Sequence, residues 1–271
     1  MQKKLLVAVL GTLFALPAFA EDAPAAAAAP APVVTSNISL VTNYLYRGVS
    51  QTAGNPAIQG GFDYTPASGF YAGVWGSSIS WISDGYVAAT PTTPGAGATG
   101  AGTEIDTYLG FRNSFATDFS YDVGFLRYNY PGNYADGAVK ADTNEVYALI
   151  GYKWITLKYS DALGDTFGVS NAGGTSYIDL SASYALGDSG YTLGAHYGAQ
   201  TYTGSTTDTL KAAGLDPTYK DYKVSVTKDF GNTYVVGLTY SSTDAKSGGF
   251  YTVNGKDLGK STVVANVTRT F

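Results

Sequence analysis

The sequence predicts an all-β fold: a transmembrane antiparallel up-and-down β-barrel of about 12 strands, with short periplasmic turns and long extracellular loops. Three observations lead to this prediction, namely strand-like alternation, connectors sorted by length, and an unusual composition. Only 14% of the 271 residues are charged, against about 25% in ordinary globular domains. Glycine (34) and tyrosine (23) are abundant. No apolar run beyond the N-terminus reaches the roughly 20 residues of a membrane helix.

The first 36 residues predict a leader and a linker. Residues 1–20 begin with Lys3 and Lys4, continue with a short apolar run and end in Ala18-Phe19-Ala20, which is the layout of a cleaved Sec signal peptide. Residues 21–36 are rich in Ala and Pro and predict a disordered periplasmic tether, so that 37–271 form the barrel. Cleavage removes Lys3 and Lys4 and takes the net charge from -5 to -7. That acidic balance argues against a nucleic-acid partner. The absence of cysteine excludes disulfides and an N-terminal cysteine lipid anchor.

Apolar and polar residues alternate along most of residues 37–271. Tyr191, Leu193 and Tyr197, for example, fall on one face of a strand, and Thr192 and His196 fall on the other. A two-residue period is typical of strands with one apolar face, and the segments are near the roughly 10 residues of a tilted membrane strand. The predicted strands are 38–47, 57–65, 70–81, 103–113, 118–129, 143–152, 155–161, 175–186, 191–203, 219–229, 233–243 and 261–271.

The connectors alternate between short and long. TPASG, NSFAT, KW, GDSG and FGN are short, whereas segments such as YPGNYADGAVKAD and the stretch from Ser83 to Gly102 are long. Tight turns at one end and long polar loops at the other are typical of outer-membrane barrels. The alternative, a soluble β-sandwich, gives no reason for sorting loops by end. The weakest joint is Lys153-Trp154, which lacks the usual turn residues.

Aromatic residues cluster near both predicted ends of the strands, as expected for two belts at the membrane interfaces. The belt near the short turns comprises Phe62, Tyr64, Phe70, Phe119, Tyr121, Tyr152, Tyr184, Tyr191, Phe230, Tyr234 and Phe271. The belt near the long loops comprises Tyr44, Tyr46, Trp75, Trp81, Tyr128, Tyr159, Tyr197 and Tyr240.

The chain stops on a strand, STVVANVTRTF, whose last residue is Phe271. Bacterial outer-membrane barrels typically end in this way, and we expect the barrel-assembly machinery to recognise this strand. Arg269 stands where an apolar residue is usual, but a long cationic side chain next to the interface can reach the headgroups. Outer-membrane lipids and lipopolysaccharide are the further expected partners.

The first strand, 38–47, is predicted to turn Tyr44 and Tyr46 to lipid and Arg47 into the outer mouth of the lumen. NYLYRGVSQT (43–52), followed by GGFDY and FYAGVWGSSISW, resembles the start of the TorF-type porin family (Gcw_chp), proteobacterial proteins of unknown function. The resemblance covers essentially the whole mature chain through its final phenylalanine. It implies a barrel in the outer membrane of a Gram-negative bacterium and, less firmly, a pore. It supplies no substrate and no site residues.

The alternation also predicts which polar side chains face the lumen. Tyr108, Leu126 and Tyr147 point inward and could narrow the passage. The predicted pore-lining residues are Arg47, Asp106, Arg112, Asp122, Glu145, Lys158, Asp179, His196, Lys223 and Asp229. Rings of carboxylates favour cations and rings of Arg or Lys favour anions. This set is mixed, and Asp outnumbers Lys in the long loops, so we expect a weak preference for cations.

One catalytic arrangement can be drawn from the sequence. The turn GDSG places His196 opposite Ser181 and near Asp179, which permits a serine–histidine–carboxylate geometry. All three residues face the predicted lumen rather than lipid, so lining of a pore explains them better than lipid hydrolysis. No P-loop, cysteine pair or histidine cluster occurs. The sequence therefore predicts no cofactor, no metal site and no enzyme.

Three functions remain after these observations. The leading one is passive diffusion of ions or small solutes through a porin-like channel. The second is a surface binding or adhesion protein whose closed barrel displays its loops, and the least favoured is a lipid hydrolase.

Overall fold

The structure is a computed structural model, and it describes residues 33–231 and 233–271. The predicted signal peptide and most of the predicted tether lie outside the described residues. Twelve strands form one closed barrel. They are β1 (Val33–Val41), β2 (Ala57–Thr65), β3 (Phe70–Ser78), β4 (Thr103–Phe115), β5 (Phe119–Asn129), β6 (Thr143–Tyr152), β7 (Ile155–Ala162), β8 (Ser176–Ala185), β9 (Tyr191–Thr201), β10 (Tyr219–Asp229), β11 (Tyr234–Thr243) and β12 (Thr262–Thr270).

Every barrel strand pairs antiparallel with its neighbours in the chain, and β1 closes the barrel by pairing with β12. Closure leaves no open sheet edge, which is the condition for strands to cross a lipid bilayer. The predicted up-and-down barrel of 12 strands is therefore confirmed. The doubtful joint at Lys153-Trp154 is a two-residue turn, because Tyr152 pairs with Ile155 and Lys153 takes a positive φ of 52°.

The connectors between the barrel strands contain the remaining elements. Two short helices, α1 (Trp81–Asp84) and α2 (Ser205–Ala212), lie in the second and fifth loops, and a 3₁₀ turn (Gly187–Ser189) lies between β8 and β9. No helix in the described part of the chain is long and apolar enough to cross a membrane. Three pairs of two-residue strands complete the loops: Leu45–Tyr46 with Val49–Ser50, Ala98–Thr99 with Asn133–Tyr134, and Thr252–Val253 with Lys256–Asp257.

The first strand differs from the prediction at both ends. It begins at Val33, so residues 33–36 belong to the barrel and not to the tether, because their backbones pair with residues 62–65 of β2. It ends at Val41, six residues before the predicted end. The segment 42–56 then leaves the wall, and the third strand likewise ends early, at Ser78, before α1.

The outer surface of the barrel is apolar. Leu40, Leu109, Leu157, Val224 and Val263 are among many exposed side chains on the outward parity of their strands. In the predicted periplasmic aromatic belt, all residues but the half-buried Tyr121 are exposed. A soluble protein rarely exposes such a continuous apolar surface, so this surface is the one that contacts lipid.

Part of the predicted outer belt is wrong. Tyr44, Tyr46 and Tyr128 are at most 7% exposed and pack in the interior, and Trp75 joins them with its ring 5.6 Å from that of Tyr44. The alternation of residues 41–47 mimics a strand, but the chain has already turned inward there. Tyr159, Tyr197 and Tyr240 remain exposed on the outside, as predicted.

Tyrosine side chains cover cross-strand glycines on the inner wall. Tyr147 stands opposite Gly124, and Tyr108 and Tyr71 stand opposite Gly73 and Gly110. A Cβ on Gly124 would lie 2.6 Å from Cζ of Tyr147 and 2.8 Å from the carbonyl oxygen of Leu109. An aromatic ring that covers a cross-strand glycine fixes register and fills the space that the glycine leaves.

We expect Gly124→Ala to destabilise the barrel by about 1–3 kcal/mol, because the new methyl group overpacks the wall and displaces the Tyr147 ring. Gly164→Ala is the matched control, since Gly164 has no atom within 4 Å of the position of a Cβ. Urea unfolding of the refolded protein in lipid vesicles measures both. Equal midpoints for the two variants would contradict the packing described here.

Candidate functional site in the barrel interior

A short hairpin from the first loop lies inside the barrel. Leu45–Tyr46 pairs with Val49–Ser50, and we call residues 45–50 the inner hairpin. Its turn residues, Arg47 and Gly48, have positive φ values of 47° and 79°, as a type I′ turn requires. Arginine rarely adopts this conformation, so contacts around its side chain must hold it there.

Those contacts come from three strands. One guanidinium nitrogen of Arg47 donates to both carboxylate oxygens of Glu145, at 2.9 and 2.7 Å, and the other donates to Gln200 at 2.7 Å. The guanidinium also lies 4.2 Å from the ring centroid of Tyr177 and 4.8 Å from that of Tyr46. Burial disfavours the charged guanidinium, but Glu145, Tyr46 and Tyr128 together outweigh this effect and raise the pKa of Arg47 above its usual value. Arg47 is thus a fixed charge that is neutralised by Glu145.

The inner hairpin spans the lumen from one side to the other. The hydroxyl of Tyr46 donates to that of Tyr128 on β5 at 2.7 Å. At the opposite side, a Cβ on Gly48 would lie 2.7 Å from Cβ of Asp221 and 2.7 Å from Cγ2 of Thr243. Only glycine fits between the hairpin and that wall. The inner hairpin therefore bridges the lumen at this level.

A second interior network surrounds His196. Its Nε2 lies 2.9 Å from Asp221 Oδ1 and its Nδ1 lies 3.2 Å from Asp179 Oδ1. Ser181 donates to Asp179 at 2.5 Å and lies 3.0 Å from Nδ1, and the hydroxyl of Tyr177 donates to Asp221 at 2.7 Å. The structure brings together the three residues that the sequence placed in a conceivable triad. However, a ring nitrogen that donates to a carboxylate has no lone pair left to accept the proton of Ser181.

The other predicted lumen residues also lie on inward-facing positions. Arg112 stands opposite Asp122 and donates to Thr65 at 3.1 Å. Asp122 accepts a hydrogen bond of 2.6 Å from Tyr71, and the Lys158 ammonium lies 3.9 Å from the ring centroid of Tyr147. Of the remaining three, Asp106 is buried beside β5, Lys223 lies opposite His196, and Asp229 is half-buried near the periplasmic turn.

Sequence reasoning missed four interior groups. Glu104 and Asp221 are at most 1% exposed. Each lies two residues from a predicted inward residue, Asp106 or Lys223, so applying the alternation to every charged residue of these strands would have found them. Asp63 could have been found from the alternation along β2. It also faces the lumen, where it accepts a hydrogen bond from Tyr108. The inner hairpin gave only one signal, the glycine at position 48.

The two sides of the lumen differ in side-chain size. Strands β3 to β6 contribute large inward residues, namely Tyr71, Trp75, Tyr108, Leu126, Tyr128 and Tyr147. Strands β9 to β12 contribute many small ones, namely Gly194, Gly198, Ser225, Thr227, Gly237, Thr239, Ser241, Asn266 and Thr268. The small-residue side leaves space for water and solutes where the inner hairpin does not fill it.

Carboxylates outnumber cations on the described interior surface. Eight acidic side chains point inward, against four arginines and lysines. The acidic ones are Asp63, Glu104, Asp106, Asp122, Glu145, Asp179, Asp221 and Asp229, and the basic ones are Arg47, Arg112, Lys158 and Lys223. Glu104 and Asp106 each keep one buried oxygen without a hydrogen-bond partner. Within the described residues, no group of three or more histidine or carboxylate side chains is placed to hold a metal ion.

A cavity of about 460 Å³ lies above the inner hairpin, among the six long loops. We call it the outer vestibule. None of its 25 lining residues is charged, and nine are aromatic. The nine rings are those of Tyr46, Trp81, Tyr130, Tyr134, Phe167, Tyr202, Tyr219, Phe250 and Tyr251.

Comparison with known proteins identifies the family. Residues 25–271 match the family described as "Bacterial protein of unknown function (Gcw_chp)". The chain belongs to this family. The resemblance of its opening motif is therefore confirmed over nearly the whole length. No curated protein matches the Gcw_chp chain in sequence.

Solved structures similar to this Gcw_chp barrel include several porins. The "KdgM porin in complex with disordered oligogalacturonate" has a TM-score of 0.49 at 8% identity, covering 88% of this chain and 98% of that one. The outer-membrane protein OprD from Pseudomonas aeruginosa has a TM-score of 0.38 at 14% identity, covering 80% and 59%. OccAB3 of Acinetobacter baumannii has a TM-score of 0.42 at 11% identity, covering 86% and 59%.

We expect Arg47→Leu to destabilise the protein by about 3–5 kcal/mol, because it leaves the buried Glu145 carboxylate without its partner. The double variant Arg47→Leu/Glu145→Leu should cost less than the sum of the two single changes, since it buries no unpaired charge. A double-mutant cycle from urea unfolding measures the coupling.

Arg127→Leu is the control for that cycle. Arg127 pairs with Asp142 at 3.2 Å, but its side chain is 41% exposed, and exposed ion pairs contribute only about 0–1 kcal/mol. A coupling between Arg47 and Glu145 no larger than that of this surface pair would show that the ion pair does not hold the inner hairpin.

Proposed function

We propose that the protein is an outer-membrane channel of a Gram-negative bacterium, through which ions or small solutes diffuse passively with a preference for cations. The observation that supports it is the polar lumen of a closed barrel of 12 strands with an apolar outer surface. A barrel that served only as a membrane anchor has no need of so many charged residues inside, since each one costs desolvation.

Conduction requires the inner hairpin to move. In the structure the hairpin reaches from Tyr128 on β5 to Asp221 on β10 and so obstructs the lumen. Its connections to the barrel are the segments 42–44 and 51–56, which lie outside the barrel strands. Displacement of residues 45–50 would break no pairing between barrel strands and would uncover the small-residue side of the lumen.

The preference for cations rests on the excess of inward carboxylates. A low-dielectric wall concentrates their field in the passage, and release of Arg47 from the lumen would remove one of the four compensating charges.

A closed barrel that binds ligands with its loops is the second candidate. The inner hairpin and the outer vestibule favour it, because the loops form a cavity above a lumen that the hairpin crosses. The lipid hydrolase has no comparable support, since both ring nitrogens of His196 lie within hydrogen-bond distance of carboxylates inside the barrel.

The remaining partners follow from the same proposal. The apolar outer surface would contact membrane lipids and lipopolysaccharide, and the last strand, whose terminal Phe271 is 61% exposed, would be recognised by the barrel-assembly machinery. Arg269 lies beside Tyr234 and Phe271 on the outward face, where its guanidinium can reach headgroups.

We expect Glu145→Gln to raise the open probability in planar-bilayer recordings by at least about tenfold. A tenfold shift needs only about 1.4 kcal/mol, which is less than the loss of a buried ion pair. Asp118→Asn is the control, because Asp118 pairs with Lys153 at the exposed periplasmic end, at 3.5 Å. If the unmodified protein and Glu145→Gln both insert as folded barrels and neither conducts current, the channel proposal is wrong and the closed binding barrel is favoured.

The reversal potential in a KCl gradient tests selectivity. We expect the unmodified channel to prefer K⁺, and Asp63→Asn/Asp229→Asn to lower its cation-to-anion permeability ratio by roughly two- to tenfold, because two inward charges are removed. Lys223→Gln should raise the ratio. An anion preference in the unmodified protein would overturn the interpretation of the charges and leave the pore intact.

A further inference from the structure

The outer vestibule has no charged lining residue, although the loops that form it contain many charged residues. The six long loops contain 14 charged residues, and none of them lines the cavity. These charged side chains point away from the cavity: Arg47 lies in the barrel interior, and the others are exposed or half-exposed on the loops. A site for an ionic ligand would offer at least one opposite charge, because an unpaired ion is costly to desolvate.

The polar groups of the vestibule are largely engaged elsewhere. The hydroxyl of Tyr46 donates to Tyr128 and that of Tyr130 donates to Glu104. Those of Tyr134 and Tyr251 donate to backbone carbonyls. These groups therefore present ring faces and edges to the cavity, and a ligand with many hydroxyls would lose hydrogen bonds with water that the cavity does not replace.

The rings also remain uncharged. Burial raises the pKa of Tyr46, Tyr130 and Tyr202, so none of them ionises near neutral pH. Water in a cavity of this kind has few hydrogen-bond partners, and its replacement by an apolar ring is favourable. A volume of about 460 Å³ lies within the roughly 300–1,000 Å³ of small-molecule sites.

We propose that the outer vestibule is a binding site for an uncharged aromatic small molecule that arrives from outside the cell. Its walls come from all six long loops, and its floor is the inner hairpin, through Tyr46, Val49, Ser50 and Gln51. The same hairpin would therefore contact the ligand on one side, and it bridges the lumen on the other. Binding does not depend on conduction, so the test stands apart from the electrical recordings.

Trp81 lines the vestibule and provides the reporter. The chain has three tryptophans, and Trp75→Phe/Trp154→Phe leaves Trp81 alone. The control variant Trp75→Phe/Trp81→Phe leaves Trp154, which is 47% exposed beside the periplasmic turn. The probe is 4-nitrobenzyl alcohol, a neutral ring that quenches tryptophan fluorescence, with 4-nitrobenzylamine and 4-nitrobenzoate as its cationic and anionic analogues.

With both variants refolded in lipid vesicles, we expect saturable quenching of Trp81 by the neutral probe and only linear quenching of Trp154. The charged analogues should bind Trp81 at least about tenfold more weakly, because the cavity offers no counter-charge. Calorimetric titration of the unmodified chain repeats the comparison without tryptophan substitutions. It keeps the proposal testable if a reporter variant does not fold.

A filled cavity provides the second control. Ala138→Phe places a ring in the vestibule and should abolish saturable binding, whereas Ala89→Phe, at an exposed position of the second loop outside the cavity, should preserve it. Linear quenching of both reporters would overturn the proposal, and so would unchanged binding to Ala138→Phe. Tighter binding of either charged analogue would overturn the assignment to an uncharged ligand.

Discussion

β1 and β12 pair along their edges and close the barrel. Lipid offers no hydrogen bonds to a peptide group, so a sheet can cross a membrane only when its two edges satisfy each other. Residues 37–41 do this by pairing with residues 266–270. Once the sheet is closed, the parity of each residue decides its environment: odd and even positions face either lipid or lumen, and a one-residue slip would invert both faces.

Closure of 12 strands creates an interior that the wall itself does not fill evenly. Tyr71, Tyr108 and Tyr147 lie over neighbouring glycines on one side, while the opposite side carries glycine, serine and threonine. The inner hairpin lies in the space between these two sides. Its Arg47 finds Glu145 on the aromatic side, and its Gly48 fits against Asp221 and Thr243 where no larger residue would.

The inner hairpin joins the two parts of the molecule that the proposals concern. Below it lies a polar lumen with more carboxylates than cations, and above it lies an uncharged aromatic cavity. The six residues of the inner hairpin, which are not part of the wall, separate these two environments. On our proposal they form a barrier that is displaced without unfolding of the barrel. Sensitivity to a ligand and control of the passage would then reside in one short segment.

Local patterns in the sequence were enough to predict the barrel. The two-residue period and the sorting of connectors predicted the strand count, most strand limits and the inward parity of residues such as Asp122, Asp179 and His196, because these follow from local alternation and turn chemistry. The path of segment 42–56, in contrast, depends on contacts between residues far apart in the chain. Its alternation is compatible with either a longer strand or a loop, and the choice depends on Glu145, Gln200 and Tyr177, which lie about 100 to 150 residues further along the chain and come near Arg47 only when the barrel closes.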